Sequence, residues 1–398
     1  MSNPVPDGWE ESSFVDFATL QRGFDLPVQN RVEGKYPIFG SNGVVGTHNK
    51  PSVHGECVVT GRSGSLGDVW YFESDIWALN TSLYVKDFHG NSAKYVYYFL
   101  KYFNLERFGS GTGVPTLNRN DVHIQSIIYP SLPEQQKIAA ILSTVDDVIE
   151  KTRAQIDKLK DLKTGMMQEL LTKGIGHAEF KDSPVGRIPV GWEVVQLNDL
   201  AKVGSSKRIR ESEYVSEGVP FYRSKEVIRR SKGLELEKTL YISRQRFSEI
   251  SEKFGAPVEG DILVTAVGTI GTVYLVDNRE FYFKDGNLLW LRNISPSISP
   301  KYLAKIMQSE AFQAEIDRVT GGSSQAALTI EKLQELSILL PPIAEQSYIV
   351  DALSSLDDKY HATYQKLTSQ QQLKKALMQD LLTGKVRVNV DNKESAVA

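Results

Sequence analysis

The segment "PEQQKIAAILSTVDD" at 133–147 returns as "AEQSYIVDALSSLDD" at 344–358, with Glu, Gln, Ile, Leu, Ser and two Asp in matching places. Downstream, "MMQELLTKG" (166–174) faces "LMQDLLTGK" (377–385) at the same offset of 211 residues, shifted only at the last glycine. Upstream the offset drifts. "GECVVTGRSGSLGDVWY" (55–71) resembles "GDILVTAVGTIGTVYL" (260–275) at an offset near 205, and "PDGWEESSFVDFATL" recurs as "PVGWEVVQLNDLAKV" near 183. Solenoid repeats have periods of about 20–50 residues, so this is something else. It is one duplicated unit whose copies share a frame and differ in their interiors. Two such copies are expected about a pseudo-twofold axis.

Each copy reads as a strand-rich domain followed by a long helix. In the first helix Ile138, Leu142, Val145, Ile149, Thr152, Ile156, Leu159, Leu162, Met166 and Leu170 recur at intervals of three or four, a seam of coiled-coil type that is imperfect near Leu162. Ser131, Pro133 and Glu134 make a capping-box start, and Gly174 is a plausible C-terminal glycine. The second seam is Ile349, Leu353, Leu356, Tyr360, Tyr364, Leu367, Leu373, Leu377 and Leu381. Helices of roughly 40 residues are about 60 Å long, and a rod of that length cannot bury its seam alone. The two are expected to pair with each other, antiparallel. Within the domains "ECVVTGR", "DVWYF", "TSLYVK", "DILVTAV", "TVYLV" and "LLWLR" read as strands. The expected fold class is α+β: two pseudo-twofold-related mixed domains separated by two long antiparallel coiled-coil helices. The expected boundaries are a first domain over 1–131, a first helix over 132–175, a polar linker over 176–190, a second domain over 191–340, a second helix over 341–386 and a tail over 387–398.

Composition narrows the setting. Charged residues at 24% and apolar ones at 41% suit a globular chain in water. The N-terminus "MSNPVPDGWEESSF" has neither a basic nor an apolar leader region, and no run approaches the roughly 18 apolar residues of a membrane span, so a cytoplasmic location is expected. Cys57 is the only cysteine, which excludes a disulfide framework and a Cys-based zinc site. The net charge of −3 does not mark a nucleic-acid binder, yet residues 202–232 hold nine basic residues against four acidic ones.

"FKDSPVGRIPVGWE" (180–193), "YPIFGSNGVVGTHN" (36–49), "LPEQQKIAAIL" (132–142), "MMQELLTKG" and the duplicated frame together resemble the specificity subunit of type I restriction-modification systems, over essentially the full chain. The resemblance implies two target-recognition domains, each reading one part of a bipartite, gapped site in double-stranded DNA. It implies that the helices pair as a spacer and dock two adenine-methylating modification subunits, with restriction subunits completing the complex. S-adenosylmethionine, ATP and Mg then belong to the partners, and this chain needs no cofactor, metal or membrane.

The residues agree with a binding rather than a catalytic part. The Gly-Lys pair of "LLTGKV" lacks the rest of a phosphate loop, the glycine-rich "GRSGSLG" and "AVGTIG" lack a dinucleotide fold's context, and no N-P-P-[YF]-like methyltransferase tetrapeptide or H-E-x-x-H occurs. Asp146-Asp147 and Asp357-Asp358 recur beside the seam and read as solvated or subunit-facing. Base readout needs side chains that reach base edges from a backbone-anchored platform, with Arg and Lys suited to guanine and Asn and Gln to adenine. Shared glycine turns fit a common frame, whereas base readers should differ between copies. The candidates are therefore Asn42, Arg62 and Thr112 in the first domain. In the second they are Lys207, Arg208, Arg210, Arg223, Lys225, Arg229 and Arg230. Two other readings stay open: a standalone enzyme, and a coiled-coil scaffold with protein-binding domains. Within the first reading, a defective or orphan specificity protein is also open.

Overall fold

A computed structural model describes residues 5–390 except 112, 237 and 322–326. By its internal packing the chain forms two units, Met1–Gln155 with Thr363–Ala398, and Ile156–Ala362. Each unit holds one domain and half of each long helix.

In the first unit a four-stranded antiparallel sheet runs in the order Thr19–Arg22, Ser82–Asp87, Cys57–Gly61, Val69–Phe72. Every residue of Cys57–Gly61 is buried, as expected of a central strand covered on both faces. Helix Ala93–Phe103, capped by the Ser92 hydroxyl accepting from the Tyr95 amide, contributes Tyr95, Tyr98 and Phe99 to a core shared with Phe14 and Phe17. Strand Trp9–Ser13 pairs antiparallel with Ser126–Pro130, directly before the long helix. A smaller sheet holds the hairpin Tyr36–Gly40 and Gly43–His48, with Trp77–Ala78 added parallel to its first strand.

The second unit rebuilds this frame. Its sheet order is Lys202–Gly204, Leu288–Arg292, Ile262–Thr265, Val273–Leu275; helix Pro300–Met307 follows, and Glu193–Gln196 pairs with Ser337–Leu340. The interior differs. A four-stranded sheet of Tyr214–Val215, Leu240–Ile242, Val219–Tyr222 and Tyr282–Phe283 carries helices Ser224–Ser231 and Arg244–Phe254. The stretch read as a polar linker contains a hairpin, Phe180–Ser183 against Gly186–Pro189, with Gly186 at φ +105° and Ile188 buried.

The long helices are Leu132–Lys173 and Ile343–Leu382. Within each unit the start of one lies beside the end of the other. In the first unit Lys374 bonds Asp146, and in the second Lys163 bonds Asp357, both at 2.5 Å. These pairs occupy equivalent positions in the repeat. Asp146 also accepts from the Tyr98 hydroxyl (2.8 Å), and Asp357 also takes the ammonium of Lys305. The expectation that Asp146 and Asp357 face solvent or another subunit is therefore corrected: each ties a helix to its own unit, and only Asp147 and Asp358 are exposed.

Ile138, Leu142, Ile149, Ile156, Leu159, Leu353, Leu367 and Leu381 are buried, and Val145, Leu356, Tyr360 and Leu377 are half-buried. Leu162, Tyr364 and Leu373, assigned to the seam by their apolarity, are exposed. Thr152, assigned to the seam, is buried, and elsewhere the stripe passes through polar residues instead: Lys163 in one helix, Thr363, Gln370 and Lys374 in the other. The lysines take seam positions because an aspartate meets each of them there.

The helix starts are clasped in equivalent ways. Gln135 accepts from the Ser92 amide (3.0 Å), and Gln346 accepts from the Ser299 amide (2.7 Å). The buried Glu134 carboxylate takes Arg387 through Nε and Nη2 at 2.8 and 2.7 Å. Glu345 takes His177 Nε2 (2.8 Å), the Ile175 amide (3.0 Å) and Trp192 Nε1 (2.9 Å).

Candidate nucleic-acid interface

Both frames end in a turn rooted on a buried threonine. In the first domain the Thr60 hydroxyl donates to the Asp68 carbonyl (2.8 Å) across the turn 61–67. In the second, the Thr265 hydroxyl donates to the Thr269 carbonyl and accepts from the Thr272 amide (2.9 Å). Gly64, Gly67, Gly268 and Gly271 all have φ between +78° and +92°, the left-handed region that glycine enters without a Cβ penalty. The threonines were visible only as "VVTG" and "ILVT" inside the repeats and were not singled out, because a buried hydroxyl has no sequence signature of its own.

Around the first turn three loops converge. The Gly64 amide donates to the Pro115 carbonyl (3.0 Å), the Leu117 amide to the Arg62 carbonyl (2.8 Å), and the Arg62 amide to the Thr81 carbonyl (2.9 Å). The tip of the hairpin lies alongside, with the Ser41 carbonyl 2.9 Å from a Cβ built on Gly61. Asn42 is exposed at that tip, its side-chain oxygen accepting from Ser41 (3.2 Å). Arg62 is half-buried, with Nη1 3.4 Å from the Asn80 carbonyl. Thr112 lies outside the described residues. The structure thus brings Asn42 and Arg62, 20 residues apart in sequence, to one loop cluster.

Around the second turn the Ala266 amide donates to the Asn287 carbonyl (2.9 Å), which also receives the Ser224 hydroxyl (3.4 Å) at the start of helix Ser224–Ser231. Lys225, next in that helix, is exposed. Arg223 donates its amide, Nε and Nη2 to the buried Glu226 carboxylate at 2.9, 3.1 and 2.8 Å. Burial pushes the Glu226 carboxyl up, but the Arg223 guanidinium outweighs it and holds the group below the ordinary carboxylate value. Arg208 pairs with Asp285 (3.0 Å). Arg229 grips the Glu235 carbonyl at 3.0 and 2.8 Å. Arg230, its side chain only 13% exposed, bonds the Glu235 carboxylate. Lys207 lies 4.6 Å over the Phe254 ring, and Arg210 is exposed.

The basic run of 202–232 therefore divides by task. Arg223, Arg229 and Arg230 bond within the inserted helix and its neighbours, whereas Arg208 pairs with Asp285 with its side chain 78% exposed. Lys207, Arg210 and Lys225 present their charge at the surface. Sequence spacing could not separate the two groups, because the partners Glu226, Glu235 and Asp285 are set by the fold.

Among the described residues no group of three or more His, Cys, Asp or Glu is placed to hold a metal ion, and no helix is long and apolar enough to cross a membrane. The Cys57 thiol is buried, which raises its pKa to about 12, with Asp75 adding to the effect; it stays protonated near neutrality.

Residues 6–161 and 189–374 match the family described as the type I restriction modification DNA specificity domain. The chain is 28% identical to the type I restriction enzyme MjaVIII specificity subunit of Methanocaldococcus jannaschii, over 96% of this chain and 94% of that one. It is 31% identical to the putative MjaX specificity subunit of the same organism, over 74% and 68% of the two chains. The crystal structure of the type I restriction-modification S subunit from M. genitalium shares the fold with a TM-score of 0.63 at 16% identity, covering 96% of this chain and 97% of that one.

Proposed function

The chain belongs to the type I restriction-modification DNA-specificity family, and from that premise we propose that it is the non-catalytic, sequence-reading part of such a complex. Each domain reads one half of a bipartite, gapped site in double-stranded DNA. The paired helices set the gap and dock the adenine-methylating modification subunits. Methyl transfer, and the ATP-driven steps of restriction, belong to partner subunits that bring S-adenosylmethionine, ATP and Mg.

The observation that carries this reading is the pairing of a repeated frame with unlike interiors. The sheet, threonine-rooted turn and following helix recur in both units, and beside them a three-stranded arrangement recurs too (Gly43–His48, Tyr36–Gly40, Trp77–Ala78 against Leu240–Ile242, Val219–Tyr222, Tyr282–Phe283), whereas only the second insert adds strand Tyr214–Val215 and helices Ser224–Ser231 and Arg244–Phe254. A common platform with different exposed side chains is what two different half-sites require. In the first domain Asn42 and Arg62 are the proposed readers within the described residues, and Thr112 remains a proposed reader beyond them. In the second, Lys207, Arg210 and Lys225 are the proposed contacts. Arg208, Arg223, Arg229 and Arg230 are proposed to act through the insert that carries them. The chain's net charge of −3 fits a duplex that is also held by partner subunits, so strong, steeply salt-dependent binding is expected of the assembled complex rather than of the lone chain.

The test is to co-express the chain with its cognate modification subunit in an unmethylated host and map modified adenines. Marks at a two-part motif with a constant gap are expected. A stable co-purified complex that leaves no marks would sink the proposal.

A further inference from the structure

The turns at 61–67 and 266–271 are close in shape, yet the side chain beneath each differs in what it offers. In the second domain Gln313, on helix Glu310–Thr320, donates its carboxamide Nε2 to the Gly271 carbonyl (3.0 Å) and to the Met307 carbonyl (2.7 Å). Met307 is the last residue of helix Pro300–Met307, so one nitrogen joins the glycine turn to two helices. The contact is close: a Cβ added at Gly271 falls 2.5 Å from Gln313 Oε1. In the first domain the equivalent place under Gly67 is taken by Glu106, whose Cγ lies 2.4 Å from a Cβ built there. A carboxylate has no N–H to give a carbonyl, so the same contact holds no bond.

We propose that Gln313 is a positioning residue for DNA reading: it fixes the turn 266–271 against the two helices and so presets the exposed tip Val267–Thr269 for its half-site. This rests on the reading given above, in which the turn belongs to the DNA-facing cluster. The preset has a physical basis. A tip whose root is bonded through Thr265, Thr272 and Gln313 loses less conformational freedom on meeting the duplex, and pre-organisation of this kind raises affinity without a new contact. The tip itself is open to such a meeting, since Val267, Gly268 and Thr269 are all exposed. The turn of the first domain lacks this tie, while the neighbouring loop holds both turns, through the Leu117 amide on the Arg62 carbonyl in the first and the Leu328 amide on the Ala266 carbonyl in the second. The two half-sites are thus read by platforms of different rigidity.

The experiment uses the full chain assembled with its modification subunits and duplexes carrying the mapped site. Competition binding compares the intact site with sites altered in one half or the other. Gln313→Met keeps length and volume and removes both donors. Discrimination at the half read by the second domain is expected to fall about tenfold, the scale of one or two lost hydrogen bonds, with the other half unchanged. A purely structural loss would lower the melting temperature and weaken both halves together, which would overturn the inference. Val267→Asp, at the exposed tip, separates the inference from the reading beneath it. If Val267→Asp abolishes discrimination at one half and Gln313→Met changes nothing, the turn reads DNA but Gln313 does not position it. If Val267→Asp leaves both halves intact, the turn does not face the duplex and the underlying reading fails.

Discussion

The two domains are the same platform asked to carry different cargo. In the first, the segment between the first sheet strand and Cys57 is a short hairpin resting on the glycine turn. In the second it is three strands and two helices that carry arginine–carboxylate ion pairs, with Arg223 on Glu226, Arg208 on Asp285 and Arg246 on Glu213 at 2.7 Å. The frames beneath keep matched devices: a buried threonine at the turn, a glutamine at the helix start, an aspartate–lysine pair on the seam. Where the frame must recur, the chain keeps residue types; where reading must differ, it adds a strand and two helices around a shared three-stranded arrangement.

The matched devices keep their key residues and differ in the partners those residues bond, and this can be broken experimentally. The largest effect is expected from the helices both units share. Inserting four residues in each helix at paired positions adds about 6 Å, and a duplex rises about 3.4 Å per base pair, so the methylated motif should keep both halves and widen its gap by one or two pairs. Methylation mapping reads this directly; altered halves with an unchanged gap would refute the spacer role.

Next is the clasp on each helix start. Arg387→Ala leaves Glu134, whose side chain is 3% exposed, without its cation. A broken buried pair costs roughly 3–5 kcal/mol; because Arg387 is itself 41% exposed, about 2–3 kcal/mol is expected, measured by urea unfolding.

The aspartates rank below. Asp357 takes two lysines, Lys163 and Lys305, whereas Asp146 takes Lys374 and the Tyr98 hydroxyl. Burial raises the Asp357 carboxyl, but the two lysines outweigh it and hold the group below its ordinary value. A depressed folded value stabilises above the unfolded pKa, about 3.9, and the contribution disappears as pH falls through the lower folded value. Asp357→Asn should therefore cost about 1–2 kcal/mol at pH 7, more than Asp146→Asn, and the gap from the parent protein should close only below about pH 4. A gap that closes near neutrality would contradict this account.

The smallest effects come from the tryptophans of the two "GWE" segments. Trp192 Nε1 bonds Glu345, whereas Trp9 Nε1 is buried without a hydrogen-bond partner. Trp192→Phe should cost about 1 kcal/mol more than Trp9→Phe in thermal unfolding. Equal costs would mean that the indole N–H at Trp192 contributes nothing.

The fold was legible because duplication doubles every signal. The paired helices, the glycine turns and the strand runs each appear twice, so chance resemblance is suppressed. The seam was misread only at Leu162, Tyr364 and Leu373, where the stripe is polar and apolarity pointed one residue aside. The interface was legible as a region and not as residues. Arg223, Arg229 and Arg230 look like Lys225 in sequence, and only the positions of Glu226 and Glu235 show that the arginines are already engaged. Gln313 and Glu106 were invisible for a further reason: each lies under a glycine far away in sequence.

The central claim is that the interiors, supported by the turns of the frames, hold most of the sequence preference. Its most direct test is methylation mapping of a chimera in which the insert 205–256 is replaced by that of a family member with a different mapped motif, in complex with the same modification subunits. The account predicts that one half of the motif changes to the donor's while the other half and the gap stay as they were. An unchanged motif from a folded, methylating chimera would place the preference in the shared frame and contradict it.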